Sequence, residues 1–365
     1  MKIFELMKEH NQEQIAFYTD KTVKLRAILS INSTALGPAI GGIRIYRYTS
    51  VDNALFDLCR LSQAMTYKTA AAGLNFGGGY MVVVEQDNME KKEPLFRSLG
   101  RFIESFNGRY IAAEDFGVTE ESMEYIGMET QFLTGLPDYY GGSGNHSQMA
   151  TYGAFKGIQA AAQHKWGSDN LTGKKIIIQG YGKIGTLLAE MAKENGAHVV
   201  VADIREEVLT NAKKSGYETI GPAQIYTEPC DILCPCAIGP IITATNAPHF
   251  RCQIIAGPAN NQLLCDDDDM ILKKHGILYA PDFLINAGGI IDVSEEYLGY
   301  IKDRVIKKTE NIYDRVLEIL KYADDQNIST NQAAIHYALK RIDTITHLKG
   351  RYLAEENWNL KKKHG

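Results

Sequence analysis

The sequence has no apolar run approaching the roughly 18 residues that a membrane-crossing helix needs. Its first residues, Met1-Lys2-Ile3-Phe4-Glu5-Leu6-Met7-Lys8-Glu9, carry charges where a secretory leader needs an apolar stretch. Before its last residues it has no cluster of basic residues either. The net charge is −5, the pI is near 6.0 and Lys and Arg are dispersed, so the footprint of a nucleic-acid binder is missing. Nor is there a paired CxxC or a close histidine pair. The six cysteines are Cys59, Cys230, Cys234, Cys236, Cys252 and Cys265, and the cluster Cys230-x3-Cys234-Pro235-Cys236 does not have zinc spacing. Those thiols are expected to be buried on a strand, as small hydrophobes, with no metal. Internal repeats and low-complexity linkers are also lacking. These absences point to a cytoplasmic protein with no membrane or nucleic-acid partner. What is present is 365 residues, 45% of them hydrophobic, enough for two buried cores at roughly 150 residues per domain.

The first 135 or so residues mix strands and helices. Val23, Leu25, Ala27, Leu29 and Ile31 alternate, which predicts a strand over Thr22 to Ile31. A turn-rich segment, Gly37 to Gly42, leads into a second strand, Ile43-Arg44-Ile45-Tyr46. Ser50 is placed to cap a helix whose Ala54, Leu55, Leu58, Leu61 and Met65 share a face. Tyr80 to Glu85 reads as a strand and Pro94 to Phe106 as an amphipathic helix. Near residue 150 the texture changes. A small-residue-rich helix runs from Thr151 to about His164, and short apolar strands then alternate with helices: Lys175 to Gln179, Ala197 to Asp203, Asp231 to Leu233, Gln253 to Ala256 and Ile277 to Ala280. Such alternation implies a parallel sheet covered on both faces. From about Glu296 the chain reads as helical to its end, closing in the basic tail Lys361-Lys362-Lys363-His364.

Between the strand ending at Gln179 and the next helical pattern lies Gly180-Tyr181-Gly182-Lys183-Ile184-Gly185. In that setting each glycine of GxGxxG has a use. Gly180 allows the turn, Gly182 lets a pyrophosphate approach the backbone, and Gly185 lets strand and helix pack closely. The pyrophosphate would rest at the helix N-terminus. Asp203, at the end of the second strand, stands where a carboxylate accepts from ribose hydroxyls. Its charge favours NAD over NADP, because it repels a 2′-phosphate. Arg205, two residues on, is a group that accepts such a phosphate, so NADP stays open.

Further segments stand in order along the chain: Gly37-Pro38-Ala39-Ile40-Gly41-Gly42, Met65-Thr66-Tyr67-Lys68-Thr69-Ala70-Ala71-Ala72, Gly73-Leu74-Asn75-Phe76-Gly77-Gly78-Gly79-Tyr80, Asn107-Gly108-Arg109-Tyr110, Ala113-Glu114-Asp115-Phe116-Gly117, Ala259-Asn260-Asn261-Gln262-Leu263 and Pro281-Asp282-Phe283-Leu284-Ile285-Asn286-Ala287-Gly288-Gly289. With the glycine loop they resemble the glutamate/leucine/phenylalanine/valine family of amino-acid dehydrogenases, nearest its leucine branch, over roughly Gly37 to Tyr300. The resemblance implies an α/β chain of two domains. One is a substrate and oligomerisation domain over 1–137 plus 330–365. The other is a Rossmann NAD(P)-binding domain over 138–329, and the C-terminal helices return to the first domain. It implies a homo-oligomer, closure over the substrate, and hinges near 137–150 and 325–335. Lys68 matches the lysine that holds the substrate carboxylate, a role suited to an ammonium. Gly41 and Gly42 match the glycines lining the substrate pocket, and Asp115 matches the acid that handles protons. Asn261 matches the asparagine touching substrate and nicotinamide. Ile40, Ala113, Ile290 and Val293 fall at the side-chain pocket and suggest an apolar substrate. Ile204, Cys236, Ala237, Asn260, Asn261 and Asn286 join Gly180 to Gly185, Asp203 and Arg205 as the cofactor-binding set.

The chain departs from the family where the three glycines are followed by Tyr80, since the family has its catalytic lysine there. A phenol, with an ordinary pKa of about 10, is a poorer base at neutral pH than a tuned lysine. Tyr80 is then either an acid–base partner, its phenolate favoured by the Lys68 ammonium, or a wall of the pocket. His146 stands in place of the family proline in Gly144-Asn145-His146-Ser147, as a candidate acid–base group or a plain loop residue. Ala150 replaces a threonine (Thr151 lies one place on), Pro258 a serine and Asp292 an asparagine. Three readings follow. The first is an NAD(P)-dependent oxidoreductase with altered chemistry, moving hydride on an amino- or imino-acid-like substrate, an imine or a carbonyl included, and poor at oxidative deamination. The second is a conventional leucine/valine dehydrogenase. The third is a non-catalytic binder of nucleotide and ligand.

Overall fold

A computed structural model describes residues 3–144 and 146–349, and the basic tail lies outside them. The chain divides into two compact units. One holds the described residues of Met1–Asn145, together with Val293–Ile301 and the described residues of Ala338–Gly365; the other holds His146–Asp292 and Lys302–Tyr337.

The first unit begins with helix α1 (Ile3–Glu9) and strands β1 (Gln14–Asp20), β2 (Leu25–Ser33) and β3 (Ala39–Tyr46). Helix α2 (Val51–Ala71), β4 (Gly77–Val84), α3 (Glu93–Glu104), β5 (Tyr110–Glu114) and α4 (Glu120–Gly127) follow. The sheet order is β1-β2-β4-β3-β5, with β3 parallel to β4 and β5, and β2 antiparallel to β1 and β4. Strand alternation assigns the two faces. Leu29 and Ile31 of β2, Ile43 and Ile45 of β3, Met81 and Val83 of β4, and Ala112 of β5 pack with Leu95, Leu99 and Ile103 of α3 and Met123 and Ile126 of α4. The opposite face carries Gly42 and Arg44, then Tyr80, then Ala113, with Asp115 just past β5, and α2 packs against it. Ser50 caps α2 as expected, its hydroxyl accepting from Asn53 N at 3.1 Å. The expected strand over Thr22 to Ile31 is displaced to Leu25–Ser33, because Thr22 belongs to a turn in which its amide donates to Asp20 Oδ1 at 2.9 Å. Strand β1 was not expected at all. It is a half-exposed edge, with Phe17 turned out to solvent, so its apolar alternation is weak. Glu296 accepts from the amides of Gly135 at 2.9 Å and Ser143 at 2.7 Å, tying down the end of this unit's first segment.

The second unit opens with α5 (Ser147–Trp166). Then come β6 (Lys175–Gln179), α6 (Lys183–Glu194), β7 (His198–Ala202), α7 (Glu206–Lys214), β8 (Glu218–Ile220), β9 (Ile232–Pro235), β10 (Ile254–Ile255), α8 (Asp268–Lys274), β11 (Leu278–Tyr279), α9 (Asp282–Ile285), α10 (Gly288–Glu296), which belongs to the first unit from Val293, α11 (Lys302–Asp325), and α12 (Thr330–Lys349), which belongs to the first unit from Ala338. The last two helices are separated by a break at 326–329, where continuous helix was expected. The six strands are all parallel in the order β11-β10-β9-β6-β7-β8, the doubly wound order of a Rossmann unit. Ile176-Ile177-Ile178 and Val199-Val200-Val201 are buried throughout, because helices cover both faces. The small residues of α5 also have a use: a side chain at Gly157 would run into Ile285 of α9. Cys234 is fully buried, but Cys230 and Cys236 are half-buried and Cys265 is exposed. The expectation of buried thiols therefore holds only in part, since β9 ends at Pro235 and leaves its flanks at the surface. No helix among the described residues is long and apolar enough to cross a membrane.

Leu29 is fully buried in the α3/α4 face. Leu29→Ala should lower stability by about 2–5 kcal/mol in urea unfolding. A loss below about 1 kcal/mol would contradict the placement of this core.

Candidate active site and cofactor loop

In the first unit, parallel pairing sets Gly42 of β3 beside Ala113 of β5, with β4 on the other side of β3. Tyr80 and Asp115 thereby meet above Gly42. The Tyr80 hydroxyl donates to Asp115 Oδ2. A Cβ at Gly42 would stand 2.8 Å from Asp115 Cβ and 2.9 Å from the Tyr80 oxygen, so only glycine lets the pair close. Tyr110, fully buried, fixes the same segment by donating to the carbonyls of Gly41 at 2.9 Å and Gly42 at 3.0 Å. Lys68 sits in the last turn of α2, half-buried rather than enclosed. Ile40 is fully buried, and Ala113 and Val293 nearly so.

Sequence reasoning did not single out the cation of this site. Arg44 donates from Nε to Asp115 Oδ2 at 3.0 Å and from Nη1 to Asp57 Oδ2 at 3.2 Å, and its guanidinium lies 5.7 Å from the Tyr80 ring centroid. Tyr48 donates to Asp57 Oδ2 at 2.6 Å. The chain Tyr48–Asp57–Arg44–Asp115–Tyr80 therefore alternates donor and acceptor. Burial alone would lower the Arg44 pKa, but Tyr80, Asp115 and Asp57 beside it raise it instead. The Tyr80 pKa moves the other way from the expected phenolate. Burial first, and the Asp115 carboxylate next, hold it well above its ordinary value, with Arg44 only partly offsetting them. Tyr80 is thus a neutral donor to Asp115, which corrects the picture of a phenolate paired with Lys68. The signal for Arg44 was a charged residue between Ile43 and Ile45 on a strand whose opposite face is core. For Asp57 it was an acid on the sheet side of α2.

In the second unit the glycine loop joins β6 to α6 as expected. Gly180 N donates to Ala202 O at 2.7 Å, and a Cβ at Gly185 would stand 2.0 Å from Gly180 O, so strand and helix touch there only through glycine. A Cβ at Gly182 would project into open space, and the α6 N-terminus has no side-chain cap. That is the cradle a pyrophosphate needs. Tyr181 and Ile184 are half-buried, and Gly182 and Lys183 are exposed along it. Cys236 N donates to Gln179 O at 2.7 Å, which puts Cys236 and Ala237 against the loop. Asn286 Nδ2 donates to Asn260 Oδ1 at 2.8 Å, while Asn286 Oδ1 is buried with no hydrogen-bond partner among the described residues, an acceptor left for a ligand. Gln262 holds the neighbouring loop by donating to Gly257 O at 2.6 Å and Ala259 O at 3.0 Å, with Asn261 left-handed at φ 53°. Ile290 is buried in this unit. His146 caps α5 by position but makes no side-chain cap, and its ring edge faces Gly289; the adjoining Asn145 lies outside the described residues. Asp203 is not an open acceptor as expected: Tyr181 N, Arg205 N and the Arg205 guanidinium already occupy its oxygens.

Comparison with known proteins agrees with both units. A family model described as the Glu/Leu/Phe/Val dehydrogenase dimerisation domain matches residues 11–132, and one described as glutamate/leucine/phenylalanine/valine dehydrogenase matches 141–211 and 201–350. The chain is 42% identical to leucine dehydrogenase of Thermoactinomyces intermedius over 357 residues, 98% of each chain. It is 40% identical to phenylalanine dehydrogenase of the same organism over 360 residues, again 98% of each. The crystal structure of L-tryptophan dehydrogenase from Nostoc punctiforme superposes with a TM-score of 0.80 at 36% identity, covering 94% of this chain and 99% of that one. The chain belongs to the glutamate/leucine/phenylalanine/valine dehydrogenase family. It is an oxidoreductase of the amino-acid dehydrogenase type, with NAD as cofactor.

The raised phenol gives a test of the Tyr80 assignment. A tyrosine whose folded pKa exceeds the unfolded value of about 10 stabilises the fold fully below that value. The contribution is lost as pH rises through the folded pKa. Titration of tyrosinate absorbance at 295 nm should therefore show no Tyr80 ionisation before the protein unfolds, and Tyr80→Phe should leave the pre-unfolding curve unchanged. Loss of a step near neutral pH in Tyr80→Phe would restore the phenolate.

Proposed function

We propose that the chain catalyses NAD-dependent oxidative deamination of an apolar α-amino acid, with leucine and valine as the first candidates. Two features support this over the altered-chemistry reading that Tyr80 first suggested. The curated leucine and phenylalanine dehydrogenases match over nearly the whole chain. The carrying observation is the bonding of Asp115: both Tyr80 and Arg44 use its Oδ2, and Oδ1 remains the oxygen to take up a proton. In this mechanism Lys68 holds the substrate carboxylate, and Ile40, Ala113 and Val293 accommodate its apolar side chain. NAD, when bound at the glycine loop, would supply the acceptor for the α-carbon hydride. Asp115 then takes a proton from the water that adds to the iminium carbon and returns it to the nitrogen, so that the C–N bond breaks, ammonia leaves and the oxo acid forms, while the Tyr80 hydroxyl steadies the carboxylate by donating to Oδ2. Asn261, Asn260 and Asn286 serve the nicotinamide end, and His146 is a loop residue rather than an acid–base group. A homo-oligomer assembled through the first unit belongs to the same reading, supported by the description of the matching family model as a dimerisation domain.

A second reading rests on Tyr80 itself. A neutral buried phenol is a donor, suited to protonating an imine or carbonyl during reduction, and a poor substitute for a lysine in hydrolysis. One assay separates the two. NADH formation is followed with a panel of amino acids, and NADH consumption with oxo acids with and without ammonium, on the natural protein and on Tyr80→Lys. Turnover of leucine or valine with ammonia release by the natural protein supports deamination. Deamination by Tyr80→Lys alone supports reduction of a preformed imine or carbonyl. Nucleotide binding without any turnover would contradict both. In whichever direction turns over, Asp115→Asn should lose about 100-fold or more, and an unchanged rate would remove Asp115 from the mechanism.

A further inference from the structure

We infer that Arg205 sets coenzyme preference, and that the ribose end of the site takes a 2′-phosphorylated nucleotide as well as NAD. The inference rests on the nucleotide reading of the glycine loop. Asp203 ends β7 next to that loop, at the position whose carboxylate ordinarily accepts from the ribose hydroxyls and repels a 2′-phosphate. Here the carboxylate is neither open nor uncompensated. Its side chain is 5% exposed, and four donors use its two oxygens: Arg205 N and Nε reach Oδ1, each at 3.0 Å, while Tyr181 N at 2.9 Å and Arg205 Nη2 at 3.2 Å reach Oδ2. Four is about the number of lone-pair sites a carboxylate offers. The charge that would exclude a 2′-phosphate is matched by a guanidinium a hydrogen bond away.

Arg205 itself stays outside. Its side chain is 53% exposed, and of the five N–H groups of a guanidinium only two are spent on Asp203. Three remain for a phosphate, in the planar geometry that suits bidentate contact. Ile204 beside it is 84% exposed, so nothing on that side covers the pair. The Asp203 pKa agrees with the geometry: burial pushes it up, yet hydrogen bonds from Arg205 and the Tyr181 amide leave it below its ordinary value. For NAD, the ribose hydroxyls must compete with Arg205 for Asp203. For NADP, the extra phosphate meets Arg205 directly.

The test is direct binding, by quenching of protein fluorescence, of NADH and NADPH to the natural protein and to Arg205→Ala, with 5′-AMP and 2′,5′-ADP as competing fragments. The natural protein should bind NADPH within about 10-fold of NADH. Arg205→Ala should weaken NADPH and 2′,5′-ADP by about 10-fold or more, the scale of one charge-assisted contact. NADH and 5′-AMP should be unchanged or tighter, and Arg205→Lys should retain part of the NADPH binding. A natural preference for NADH above about 100-fold would overturn the inference. So would an Arg205→Ala variant with an unmoved ratio. If neither dinucleotide binds the natural protein, the nucleotide reading of the loop falls, and this inference with it.

Discussion

The arrangement of the first unit depends on one guanidinium. Arg44 projects from β3 between two carboxylates from different elements, Asp57 on α2 and Asp115 past β5, and bonds both. Two partly buried acids brought this close repel unless a cation stands between them. An arginine is suited to the task because it cannot lose its proton, whereas a lysine in the same place could. With Arg44 offsetting one of the two charges, Asp115 accepts the Tyr80 hydroxyl as well. The sheet makes room for this contact: Gly42 has no Cβ to separate the pair, and Tyr110 anchors the carbonyls of Gly41 and Gly42 from below.

The same network includes Tyr80, which stands where the family resemblance implies a lysine. A phenol brings no charge, fills the buried position and returns a hydrogen bond to Asp115. In the proposed mechanism this bears on proton handling, since Tyr80 donates and Asp115 is the group assigned to accept. The second unit repeats the theme at its ribose end, where Arg205 holds Asp203. In both units a carboxylate of the candidate site is held by an adjacent arginine.

Much of this was legible in the sequence, for identifiable reasons. The strand Lys175–Gln179 and the glycine loop after it were placed to the residue, because a short apolar run and GxGxxG each admit few structures. Gly42, Tyr80 and Asp115 were singled out by motif, and the structure brings them together. Arg44, Asp57 and Tyr48 were not, because their meaning comes from which sheet face they share, and that depends on the crossing of β3, β4 and β5. The same holds for Tyr80: a phenolate beside Lys68 and a plain pocket wall were both open from the sequence, and burial and Asp115, which raise its pKa, speak against the phenolate. Edge strand β1 escaped because a strand with half-exposed sides lacks the pattern that burial imposes.

The central claim is that Arg44 and Tyr80 act through one carboxylate. A double-mutant cycle tests it directly, with kcat/KM measured for the natural protein, Arg44→Met, Tyr80→Phe and the double variant on the fastest substrate. If both residues work through Asp115, the two losses will not add, and the coupling will exceed the roughly 0.5 kcal/mol scatter of independent sites. Losses that add within that scatter would mean that Arg44 and Tyr80 serve separate ends, and that the Asp115 network does not govern the chemistry.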